Sequence, residues 1–325
     1  MYIREDSLDD LLKSTFEKFA DGKLPLVKAT KGNSYELLGV LLELTNPRSR
    51  LSRSEIKGTP YSCIGELAWY LSRSNTSSDI EYYLHRYRDS SEDDGKIHGA
   101  YGPRFFSMHG RFNQIENIVS LLRRKPTSRR AVIQLFDASD ITQDFKDIPC
   151  TANIQFFLRD SKLNMMVNMR SNDVYFGLPH DVFCFTMLQE IIACRLGVKL
   201  GVYKHSVGSL HLYEDKITNI NSYIQEGWQR QVPMPHMRCE NIEKQIEHFI
   251  DVEKRIRSGG EYDSAEDSIS DSYWKDLLIL LKVFSKRKTN DLDLFLVLKG
   301  SLYTEMYKSY VDKYIDSLGK ESCVR

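Results

Sequence analysis

Three short runs between Pro149 and Asp181 gather a thiol, a guanidinium and two carboxylates. Cys150 follows a proline and opens the run Thr151-Ala152-Asn153-Ile154-Gln155-Phe156, after which come Met169-Arg170-Ser171-Asn172-Asp173 and Gly177-Leu178-Pro179-His180-Asp181. A thiol becomes a nucleophile when cations or hydrogen-bond donors favour its thiolate. An arginine fork binds phosphate at two points, and carboxylates move protons or accept hydrogen bonds. These residue types point to covalent chemistry on a small anionic molecule.

The elements that must hold these groups are legible from periodicity. Leu163, Met165, Val167 and Met169 alternate with Asn164, Met166, Asn168 and Arg170, which predicts a half-buried strand with Arg170 at the end of its polar face. The run VFCFTMLQEIIACRL predicts a helix closed by Gly197, in which Cys184 and Cys194 read as small buried hydrophobes. His211 and Tyr213 occupy alternate positions of a further strand and face the same way. Upstream, Ser7 and Asp10 form a capping-box pattern before Leu8, Leu11, Leu12, Phe16 and Phe19. Tyr61 to Arg73 predicts a mostly buried helix with Glu66 among Ile64, Leu67, Trp69 and Leu71. Either Glu66 points outward, or it is a buried carboxylate usable as acid and base. Pro126 ends a helix carrying Ile115, Ile118, Val119 and Leu122, and Ser128-Arg129-Arg130 follows before the strand-like AVIQLF.

With 325 residues, 41% of them hydrophobic, the chain can build a sizeable core. Its 45 basic and 45 acidic residues cancel, which disfavours nucleic acid or an anionic membrane as partner and makes any anion site local. No segment reads as a signal peptide or a membrane span. Six scattered cysteines without a CxxC pair argue against a disulfide framework and a zinc ribbon, and imply reduced thiols in the cytoplasm.

Taken together, Pro149-Cys150 with Gln155-Phe156 (PCxxxxQF), Arg170-Ser171 with Asp173 (RSxD), Gly177 with Pro179 (GxP) and the run His205 to Tyr213 (HSVGSLHLY) resemble, in order and spacing, the thymidylate synthase family, which includes the cytidylate hydroxymethylases. The resemblance covers about residues 28 to 236. It implies an α/β fold with a mixed β-sheet and surrounding helices, 5,10-methylenetetrahydrofolate as cofactor, and a pyrimidine nucleoside monophosphate as substrate. It also implies a homodimer with shared active sites. Within it Cys150 is the nucleophile and Glu66, in an ExxWxL pattern, organises water and proton transfer. Tyr101, in His98-Gly99-Ala100-Tyr101-Gly102, sits near the active-site water, or is a turn tyrosine packed on the core. Arg170 and Ser171 bind phosphate, and Arg129 and Arg130 reach the partner's phosphate unless they are merely solvated charge. Lys31 stands where the family has a phosphate-loop arginine, although a solvated loop lysine is an equal reading. Gln155 matches an active-site glutamine, or makes a cross-strand amide hydrogen bond. His211 and Tyr213 hold the sugar hydroxyl, and Asp173 and Trp69 contact the folate.

Departures from the family bear on the substrate. Thr151 replaces a common histidine, and His180-Asp181 replaces phenylalanine-asparagine. A carboxylate at Asp181 accepts from the exocyclic amino group of cytosine, and from its ring nitrogen once protonated, whereas it meets the four-position oxygen of uracil lone pair against lone pair. No tryptophan lies between Trp69 and Trp228, where thymidylate synthases carry a tryptophan-rich segment near the folate. The sequence therefore favours (deoxy)cytidylate 5-hydroxymethylation through a Cys150 adduct. The alternatives are a thymidylate synthase acting on deoxyuridylate and a non-catalytic nucleotide-binding or interaction protein. Residues 1–239 form the expected catalytic domain, and 240–325 a helical C-terminal extension with a polar linker near 258–272.

Overall fold

The alternating run of sequence around Met165 lies near the middle of a seven-stranded mixed sheet in a computed structural model. The structure describes residues 1–29, 32–289 and 291–322. The strands are β1 (Tyr2–Glu5), β2 (Leu26–Ala29), β3 (Gly32–Leu44), β4 (Val132–Gln134), β5 (Thr151–Arg159), β6 (Lys162–Asp173) and β7 (Lys199–Tyr213). They run in the order β1-β3-β7-β6-β5-β4, with β2 added to β3. The β6–β7 pair is parallel, and β5–β6 and β3–β7 are antiparallel. Asp160 and Ser161 both take positive φ, 49° and 56°, and make the two-residue turn that folds β5 back along β6. That hairpin brings Cys150 beside Arg170, whose backbone N–H donates to the Cys150 carbonyl at 2.8 Å.

One sheet face is dry. Ile154, Phe156, Leu163, Met165, Val167, Tyr203 and Val207 point inward from three neighbouring strands and are essentially inaccessible to solvent. Against β1 and β3 packs α1 (Leu8–Ala20), and against the β6 and β7 part of this face packs α6 (Gly177–Leu196). The Ser7 hydroxyl accepts from Asp10 N–H at 3.1 Å, so the cap read from sequence starts α1. Phe183, Phe185 and Met187 bury α6 on more than one side, and Gly197, in the left-handed conformation at φ 67°, ends it. The other face, carrying Gln155, Phe157, Met166 and Val202, stays partly open.

The remaining helices are α2 (Tyr61–Leu71), α3 (Ser77–Glu81), α4 (Tyr101–Phe106), α5 (Gln114–Arg124), α7 (Ile217–Gln225), α8 (Ile242–Arg257), α9 (Ser272–Ser285), α10 (Leu292–Gly300) and α11 (Glu305–Ser322). The C-terminal helices are packed into the same core: Trp274, Leu277, Leu278, Leu280 and Leu281 of α9 are fully buried. Tyr61 at the start of α2 donates to the Tyr310 carbonyl at 3.1 Å, and Tyr83 donates to Glu253 of α8 at 2.8 Å. Cysteine usage departs from expectation at one place. A disulfide joins Cys194, at the end of α6, to Cys239 just before α8, with their Cα atoms 4.9 Å apart. Chain folding brings together two thiols 45 residues apart that no sequence spacing announces. Cys63, Cys150 and Cys184 lie outside any disulfide.

Candidate active site

A cavity of about 650 Å³ opens where the ends of β5, β6 and β7 meet α2 and the start of α6. Cys150, Glu66, Asp181, Tyr101, Arg170, Ser171, His211, Tyr213, Asp173 and Trp69, drawn from six separate segments of sequence, all line it. Arg170 curls back over the loop before β5. Its Nε donates to the Pro149 carbonyl at 3.0 Å and its Nη2 to that of Ile148 at 3.2 Å, which leaves Nη2 3.8 Å from the Cys150 sulfur. Positive charge against sulfur is what a nucleophilic thiolate needs. Tyr101 accepts the Thr151 N–H at 3.0 Å, and its hydroxyl lies 2.9 Å from Thr151 Oγ1. It thus fixes the backbone immediately after Cys150, and burial raises its pKa so that it stays neutral.

Glu66 points into the site rather than outward. Its Oε1 accepts from Tyr70 at 2.9 Å and Tyr87 at 3.1 Å, whereas Oε2 is buried without a hydrogen-bond partner among the described residues. A buried acceptor left open is a place for water or ligand. Asp181, the fifth residue of α6, is 8% exposed. Burial, reinforced by the charge of Glu66, pushes its pKa up to about 8 against a hydrogen bond from Asn172, so the carboxyl is mostly protonated at neutrality. The clash with uracil expected of a carboxylate is therefore absent: a neutral acid can donate as well as accept. His180, on the same turn, is neutral because burial lowers its pKa. One ring nitrogen lies 2.9 Å from the Phe176 carbonyl and the other 2.9 Å from the Ser62 hydroxyl.

His211 and Tyr213 meet edge to face at 5.3 Å, with His211 Nδ1 3.5 Å from Ser171 Oγ. Asp173 Oδ1 accepts the N–H groups of Tyr175 and Phe176 at 2.7 and 3.0 Å and so shapes the entry to α6. Three expected site residues do not line this chain's cavity. Arg129 and Arg130 are exposed beside β4, and Gln155 lies on the open sheet face, its amide donating to the Arg129 carbonyl at 2.8 Å. Lys31 lies outside the described residues.

Three residues went unread in the sequence. Arg86, from a polar interval, lines the cavity. Burial works against its charge, but Tyr87, Glu66, Asp173 and Asp181 together hold its pKa above the ordinary value. Lys57 sits 3.5 Å over the Tyr175 ring, its pKa brought down to about 8 by burial despite Asp173. Together with Lys216 these cations ring Phe176, at 5.0 Å for Lys57, 5.9 Å for Arg86 and 5.4 Å for Lys216. Asn172, between two residues that were read, donates to Asp181 at 2.7 Å. Its signal was a buried amide on a strand, which needs a partner.

A family model described as thymidylate synthase matches residues 55–260. The chain belongs to the thymidylate synthase family. Similar proteins include two named deoxyuridylate hydroxymethyltransferase. The one from Delftia phage PhiW-14 is 30% identical over 238 residues, 68% of this chain and 66% of that protein. The one from Pseudomonas phage M6 is 30% identical over 170 residues, 51% of this chain and 48% of that protein. A thymidylate synthase from Bacillus licheniformis is 28% identical over 193 residues, 55% of this chain and 69% of that protein. The chain thus spans somewhat less than two thirds of the first phage relative and about half of the second. The family match begins after β3 and runs through α8, whereas α9 to α11 lie beyond it.

Proposed function

We propose that the chain transfers a one-carbon unit from a folate to the 5-position of a pyrimidine nucleoside monophosphate, with hydroxymethylated cytidylate as the product. The observation that carries the proposal is the convergence of Cys150, Arg170 and a protonated Asp181 on one cavity. The cavity also suits 5,10-methylenetetrahydrofolate. Trp69 Nε1 and Glu66 Oε2 are buried without partners among the described residues, and the cations around Phe176 match the carboxylates of a folate tail. Trp69, Asp173 and Phe176 would hold the cofactor, which when bound supplies the one-carbon unit.

This chain's own residues do the rest. Arg170 and Ser171 take the phosphate, and His211 and Tyr213 the sugar hydroxyl. As the Cys150 sulfur bonds to C6, the C5–C6 double bond opens toward the ring, and Asp181 gives its proton to N3 of cytosine, where the displaced charge collects. C5 is then electron-rich enough to bond carbon. Glu66, with the Tyr70 and Tyr87 hydroxyls, would hold the water whose oxygen bonds to the new carbon once the C5 proton and the bond to the folate nitrogen are lost. The C5 proton and the water's surplus proton pass to the folate nitrogens, and departure of Cys150 with return of the N3 proton to Asp181 restores the ring. An asparagine in place of Asp181 could pair with either base but has no proton to give to N3. A pKa near neutrality is what such a transfer needs.

Deoxyuridylate is the second reading, favoured by the names of the two phage relatives and by the neutral Asp181, which can donate to the four-position oxygen while accepting from N3–H. The test is the ratio of kcat/KM for cytidylate to that for uridylate. Wild type should favour cytidylate. Asp181→Asn should lower the ratio by roughly a hundredfold or more, the worth of a general acid, because asparagine has no proton to give to N3 of cytosine. A wild type that prefers uridylate establishes the second reading.

We infer also a homodimer with shared sites. Arg129 and Arg130 are exposed away from their own cavity, and the open sheet face includes Leu38, 72% exposed, and Val132, 41% exposed. We infer the cytoplasm as the compartment, since Cys150 chemistry needs a reduced thiol; among the described residues the Cys194–Cys239 pair is the one exception to reduced cysteines.

A further inference from the structure

Behind Asp181 runs a line of buried side chains that the proposed reaction does not use. The Tyr203 hydroxyl lies 2.7 Å from His205 Nδ1, and His205 Nε2 lies 3.0 Å from Asn172 Oδ1. Asn172 Nδ2 in turn donates to Asp181 Oδ2 at 2.7 Å. Tyr203 and His205 are fully buried, and Asn172 is 4% exposed. Burial pushes the His205 pKa down to about 3, so its ring is neutral and carries one N–H. Among the described residues His205 is the only hydrogen-bond partner of the Tyr203 hydroxyl. If that hydroxyl accepted from His205, its own proton would be buried without an acceptor, so it donates into Nδ1. The His205 N–H is then at Nε2 and goes to Asn172 Oδ1, and the Asn172 amide can turn only its N–H toward Asp181. All three bonds point the same way.

The end of the line has one consequence for the acid. Asp181 Oδ2 is receiving an N–H, so the carboxyl proton resides on Oδ1. We propose that Asn172, locked by His205 and Tyr203, is the positioning residue that keeps the Asp181 proton on Oδ1, the oxygen that hands it to the base. Gly177 supports this arrangement, because a Cβ there would lie 2.8 Å from Asn172 Nδ2. Other groups face the carboxyl. Glu66 from α2 and Asp173 from β6 oppose its ionisation, and Arg86 favours it. Tyr70, Tyr101, Cys184 and Tyr203 feel its charge but stay neutral, and His180 beside it is neutral too. Of these, Asn172 alone donates a hydrogen bond to the carboxyl, so removing it should make the proton harder to release.

The proposal rests on the proposed function for its catalytic meaning, and its test is built to separate the two. The full chain, labelled with carbon-13 at aspartate carboxyls, is titrated by NMR without ligand, the Asp181 signal being identified by its loss in Asp181→Asn. Asn172→Ala should raise the Asp181 midpoint by about one pH unit. Tyr203→Phe, which keeps the ring and its packing, should move it the same way by less, because the His205 ring and the Asn172 amide are then free to turn over. The alkaline limb of kcat/KM for cytidylate should follow the NMR midpoint in each variant. Packing alone would lower turnover equally at every pH and leave the midpoint in place. A midpoint unmoved in Tyr203→Phe overturns the proposal even if Asn172→Ala does not fold. A midpoint that moves in a protein turning over no pyrimidine monophosphate upholds the positioning role and removes the proposed function instead.

Discussion

Cys150 and Asp181 divide the proposed chemistry between a sulfur beside a guanidinium and a carboxyl kept protonated by burial. Cys150→Ser should abolish turnover and leave nucleotide binding largely intact, since an alcohol has too high a pKa to add to the ring. Turnover assays paired with calorimetric binding of the monophosphate check this, and substantial residual turnover would remove the covalent step. Asp181 also couples stability to pH. Its pKa is about 8 when folded and close to the ordinary carboxylate value when unfolded, so the folded state holds the extra proton. The stability this contributes is fully present below the unfolded value and is lost as pH rises through about 8. Asp181→Asn, which stays neutral, should therefore melt above wild type at pH 8 to 9 (roughly the folded pKa and beyond), with the gap closing toward acid. A gap constant with pH would show that Asp181 is ionised in the folded protein.

At the scale of elements, the β5–β6 hairpin and the N-terminal part of α6 bring the sulfur, the guanidinium and the carboxyl together. The hairpin was legible because strand alternation gives each residue a face, and α6 because its long apolar run stops at Gly197. Arg86 and Lys57 were not legible. Each sits in a polar stretch of no clear period, and its partners, Phe176 among them, come from far along the chain. Asn172 escaped because the inward-facing parity of β6 changes after Met169, so the alternation that holds to Arg170 fails two residues later. The disulfide between Cys194 and Cys239 is a tertiary event of the same kind. The C-terminal helices were legible as helices, but their depth of packing was not. Trp274 of α9 is fully buried, its ring tilted against Phe249 of α8 with centroids 5.1 Å apart. Trp274→Ala should cost about 3 to 5 kcal/mol in chemical denaturation. A loss under ~1 kcal/mol would mean that α9 is peripheral to the folding unit.

For the whole molecule, the open sheet face and the displaced Arg129 and Arg130 fit a dimer that completes each site from two chains. Mixing an Arg129→Ala, Arg130→Ala chain with a Cys150→Ser chain should restore activity, because one site of each mixed dimer then has both its sulfur and its borrowed arginines. Mixed dimers that form and stay inactive would show the sites to be independent. The central claim, one-carbon transfer to the 5-position of a pyrimidine nucleotide, is tested most directly by product mass. The purified protein is incubated with each pyrimidine monophosphate and 5,10-methylenetetrahydrofolate, and the nucleotides are weighed by mass spectrometry. The expected result is cytidylate heavier by one CH2O unit, formed by wild type and not by Cys150→Ser. Every monophosphate recovered at its starting mass would contradict the account.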